Sequence, residues 1–111
     1  MRRQSKYDAS LQAAPGLTDE QRKAAEEKYL ELLERVFGSA SKVRGAYCEC
    51  VAVRSLRVEN PWTTTTPEEV QAVTLWEKAT EKATRLVFSQ MKVAPPRDAF
   101  FELHVWNSRT N

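Results

Sequence analysis

Thr66-Pro67-Glu68-Glu69 is the stretch that most narrows what this chain can become. A threonine suited to cap a helix, a proline at the first helical position and a glutamate three residues after the threonine together make a full start signal. Behind it, Val73, Trp76, Ala79, Ala83, Leu86 and Val87 recur at helical spacing and form one apolar stripe, edged by Thr80 and Gln90. Pro95-Pro96 forbids continuation. A similar signal stands earlier, where Thr18 is followed by Asp19, Glu20 and Gln21. There Ala25, Tyr29, Leu32, Leu33 and Val36 form the stripe, Leu30 and Phe37 widen it, and Gly38 is the stop. The chain must therefore bury the apolar sides of two long helices.

Each helix pattern is followed by an alternating run. The first, about Ala46–Val58, predicts a strand with Ala46, Cys48, Cys50, Ala52, Leu56 and Val58 on one face, and Tyr47, Glu49, Val51 and Val53 on the other. Arg54-Ser55 marks a bend in it, and Asn60-Pro61-Trp62 ends it. The second, about Ala99–Trp106, puts Phe101, Leu103 and Val105 on the core side, with Phe100, Glu102, His104 and Trp106 opposite. Aligning the two α-β units gives few identities, so common descent is not required.

The expected fold is thus α/β or α+β: one small domain in the order α-β-α-β, with both helices on one side of a small sheet. Two strands joined through a helix would run parallel with a right-handed crossover. A sheet of two strands is marginal in water. Completion is expected from a short strand within residues 56–62 or 91–94, or by oligomerisation. Residues 1–16, ending at Pro15-Gly16, are expected as a basic tail, 17–107 as the domain and 108–111 as a C-terminal tail.

Composition sets bounds on function. With 17 basic and 15 acidic residues the net charge is +2, too small to demand a polyanionic partner. Basic residues do gather at Lys42, Arg44, Arg54 and Arg57, the possible nucleic-acid contacts. The pair Cys48-x-Cys50 is no disulfide framework and points to an intracellular, reducing compartment. The cytoplasm fits this, while the basic start Met1-Arg2-Arg3-Gln4-Ser5-Lys6-Tyr7 weakly resembles a mitochondrial import sequence. No apolar run approaches the roughly 18 residues of a membrane span.

Motifs that carry chemistry are scarce. Gly16, Gly38 and Gly45 are isolated, so no phosphate-cradling loop is formed. The single histidine, His104, has no G-x-S-x-G partner. Cys48, Cys50 and His104 are the best metal ligands on offer, but strand parity puts the cysteines on the core face and the histidine on the other, so no metal and no cofactor are assigned. Glu49 and Glu102 are expected as surface carboxylates rather than an acid/base pair.

What is left is the mixed face. Tyr47, Val51, Val53, Phe100, His104 and Trp106 are the interface candidates, because helices on one side of the sheet leave that face uncovered. The expectation is a non-catalytic protein-interaction domain or accessory subunit of a larger assembly, or a homo-oligomer. The alternative is a small RNA- or DNA-binding module that stacks bases on Tyr47, Phe100 and Trp106, against which stand Glu49 and Glu102. Membrane insertion and a small-molecule site are not expected.

Overall fold

The computed structural model describes residues 7–62 and 64–105. Its order is β1 (Tyr7–Gln12), α1 (Asp19–Phe37), α2 (Ala40–Glu59), α3 (Pro67–Met91) and β2 (Phe100–Val105). The domain is a small α+β one, with three helices and a single two-stranded antiparallel sheet.

Both capped helices form as their sequences dictate. The Thr18 hydroxyl accepts from the Gln21 backbone at 3.1 Å, and the Gln21 side chain accepts from the Thr18 backbone at 2.9 Å. Thr66 and Glu69 repeat this reciprocal pair at 3.1 and 2.9 Å. Each box satisfies two backbone donors that the first helical turn leaves open. Gly38 ends α1 in the left-handed region, φ 107°, where a side chain is strained. Ser39 caps the next helix at once, accepting from the Lys42 backbone at 3.2 Å.

That next helix is the main correction. Residues 46–58, expected as a strand, belong to the 20-residue α2. Val43, Ala46, Tyr47, Cys50 and Val53 recur at helical spacing, and that stripe packs against α1 and α3, burying Val43, Cys50 and Val53. The β-branched valines favour a strand locally, but burial of this stripe decides the outcome. The order α-β-α-β, the parallel pairing and the crossover through a helix all fall with it.

The strand that does pair with β2 is β1, in the stretch expected as tail. Tyr7, Ala9 and Leu11 alternate with Asp8, Ser10 and Gln12, and the alternation matches burial: the first three are buried. Register runs from Tyr7 opposite Val105 to Gln12 opposite Phe100. The inner face therefore holds Tyr7, Ala9, Leu11, Phe101, Leu103 and Val105, so the expected parity of the second strand stands. Tyr29 of α1 stacks on Phe101, centroids 4.1 Å apart and planes at 9°, and Phe88 of α3 lies at 6.4 Å from the same ring. These rings join the sheet to the helices in one core. The C-terminal tail 108–111 lies outside the described residues.

Candidate functional site

The six interface candidates do not share one surface. Tyr47 is half-buried on α2 with its ring 5.7 Å from Trp76, and Val53 is buried beside Thr64, Thr65 and Glu69. Val51 is exposed on α2. Phe100 and His104 are exposed on the outer face of the sheet, in the company of Asp8, Ser10, Gln12 and Glu102. His104 Nε2 lies 3.2 Å from the Ser10 hydroxyl and 3.9 Å from Glu102. Trp106 lies outside the described residues. An aromatic sheet platform of Tyr47 with Phe100 is therefore not formed, since one is on a helix and the other on a strand.

The cysteines and histidine also part company. Residues two apart on a helix point in nearly opposite directions, so Cys50 is buried and Cys48 exposed, both as free thiols. Burial pushes the Cys50 thiol up; Arg54 lowers it and Glu77 raises it further. Among the described residues no group of three or more metal-ligating side chains converges.

The four basic residues all lie on α2, but not on one side of it. Helical spacing sends Arg44 toward the Val51 flank and Lys42 to the opposite one. Arg54 is held 2.7 Å from Glu77 of α3, and Arg57 Nε donates to Thr65 Oγ1 at 3.1 Å. The Arg44 Nε is buried and lacks a hydrogen-bond partner among the described residues.

What stands out is the outer side of α2 itself. From Arg54 to Asn60 every residue is exposed, so the C-terminal turns of the helix project from the core. Val58 lies there at 82% exposure, with Val51 two turns back on the same flank and Leu56 on the other, and Trp62 just beyond the helix reaches 92%. Val51, Arg54, Ser55, Val58 and Glu59 line an open groove of about 320 Å³. All five come from one helix, so the groove is a furrow between neighbouring side-chain ridges rather than a pocket that encloses a small molecule. A second, smaller depression on the other flank joins Val53, Leu56 and Arg57 of α2 to Thr64, Thr65 and Glu69.

Leu56 and Val58 were absent from the interface candidates because strand parity assigned them to the core. Helical phasing would have found them, since Val43, Cys50 and Arg57 define the inner line and Val58 falls outside it.

No known family, characterised protein or solved structure matches the chain. Among the described residues no helix is long and apolar enough to cross a membrane.

Proposed function

We propose that the chain is a non-catalytic protein-interaction module, an accessory or structural subunit that docks through the outer side of α2. The observation that carries this is the apolar surface on the outer flank of that helix and the turn after it, with Val51, Val58 and Trp62 open to water. A surface helix ordinarily has one apolar stripe and one polar face. Here the inner stripe is already satisfied by α1 and α3, and apolar residues continue around the outside. Such a surplus gains by burial against another chain, at about 25 cal/mol per Å² of apolar area removed from water.

The shape of the site suggests its occupant. A furrow between helix ridges accepts the side-chain ridge of another helix. Glu59 at its rim supplies a charge for orientation, Arg54 being paired with Glu77. A reducing compartment agrees with an exposed Cys48 on this helix. The nucleic-acid alternative draws less support, because Lys42 and Arg44 diverge around α2 while Arg54 and Arg57 are engaged within the chain.

The test is the double substitution Val51→Asp and Val58→Asp in the full chain, expressed at native level. Both positions are exposed, so melting should stay within a few degrees of wild type. The wild-type protein is expected to elute from a cell extract in a complex well above its own mass, and the variant to elute as the free chain. Equal elution of the two, at either position, contradicts the proposal.

A further inference from the structure

We propose that two copies of this chain pair edge to edge through β2, in antiparallel register centred on Leu103, to form one four-stranded sheet. This surface is separate from the α2 furrow, so either can fail without the other.

The backbone of β1 shows which edge is available. The Leu11 N–H donates to the Glu26 carboxylate at 2.8 Å, and the Leu11 carbonyl accepts from Arg22 at 2.7 Å. The Ala9 N–H donates to Asp8 Oδ1 at 2.9 Å. Ala9 and Leu11 therefore turn their polar backbone groups away from β2, and side chains, two of them from α1, occupy that outer edge. In antiparallel pairing, residues opposite such positions also turn away from their neighbour. Leu103 and Phe101 face Ala9 and Leu11 in register, so Phe101, Leu103 and Val105 direct their N–H and C=O groups to the far edge of β2. Among the described residues β2 has no neighbour but β1, and these three groups have no partner. The sheet is blocked on one side and open on the other.

An open edge is a template for another strand, and a second copy offers an identical edge related by a two-fold axis. The side chains select the register. Faces must match, so only even shifts are allowed. With Leu103 opposite the partner's Leu103, Phe101 meets the partner's Val105, and the edge forms three pairs that each exchange two hydrogen bonds. On the outer face, Glu102 then stands opposite the partner's His104, and His104 opposite the partner's Glu102. A shift of two residues one way opposes Glu102 with the partner's Glu102, and the other way opposes His104 with the partner's His104. Only the Leu103-centred register sets unlike groups across from each other at both places.

The experiment measures mass against concentration for the full chain by sedimentation equilibrium, then fixes the register by cross-linking. Wild type is expected to move from monomer to dimer as concentration rises. His104→Glu places two glutamate pairs across the interface and is expected to weaken dimerisation about ten-fold, and the exchange Glu102→His with His104→Glu to restore it. In a Cys48→Ser background, Glu102→Cys mixed with His104→Cys is expected to give the mixed disulfide in preference to either homodimer, because directly opposite residues in a non-hydrogen-bonded pair lie within disulfide reach. Circular dichroism checks that each variant is folded. A monomer at every concentration, a dimer untouched by His104→Glu, or disulfides formed equally by Glu102→Cys alone would each overturn the proposal.

Discussion

Cys48 and Cys50 stand one residue apart and live in different surroundings, one exposed and one at 1% exposure. On a strand they would share a face; on α2 they cannot. Replacing each by serine separates the two structures experimentally. Cys50→Ser puts a hydroxyl into the apolar space between helices and is expected to cost about 1–3 kcal/mol, while Cys48→Ser should stay within about 0.5 kcal/mol. Urea denaturation of the two variants reads the difference. A second residue-scale consequence concerns alkaline pH. Tyr29 is buried against Phe101, and burial pushes its phenol well above the ordinary value of 10.0. The unfolded chain therefore releases this proton first. Stability from Tyr29 is fully present below pH 10.0 and is lost as pH rises toward the higher folded value. Cys50 acts in the same direction, its thiol also being raised by burial. The urea midpoint should fall between about pH 8 and about pH 11, and Tyr29→Phe should flatten that fall.

Among the elements, those with chemical punctuation were legible from sequence. Thr18, Gly38, Thr66 and Pro67 bound α1 and α3 at the residues where the structure bounds them. The inward parity of β2 was legible too, because Phe101, Leu103 and Val105 alternate cleanly with exposed neighbours. α2 was not, for a physical reason: its apolar residues are so numerous that they satisfy a period of two and a helical period equally well. A signal against the strand was present, since a strand of 46–58 exceeds the usual length of 3–10 residues. Ser39 before a stretch without proline was another. β1 was hidden by its short length and by the basic tail in front of it, although Tyr7, Ala9 and Leu11 alternate with polar residues. The candidate site suffered most. Phe100 and His104 were placed correctly on the outer sheet face, but Val51 belongs to a helix and Val53 to the core. At this scale the caps are testable: Thr66→Ala should lower stability by about 1 kcal/mol, measured as a shift in thermal midpoint.

For the whole molecule, the first and last described elements pair with each other, so the fold closes only when both strands are present. Removing residues 1–12 should leave much of the far-ultraviolet helical signal but abolish the cooperative melt, because Leu103 and Phe101 lose Ala9 and Leu11 opposite them. α2 contributes Val43 and Cys50 to the core, while its C-terminal turns, with Leu56 and Val58, stay exposed beyond it. That α2 carries a docking surface is the central claim, and site-specific photo-cross-linking in living cells tests it most directly. A photoreactive residue at Val58, in the furrow, is compared with one at Lys23, exposed on α1. The account predicts one discrete protein adduct from position 58 and none from position 23. No adduct from 58, a nucleic-acid adduct there, or the same adducts from both positions would contradict it.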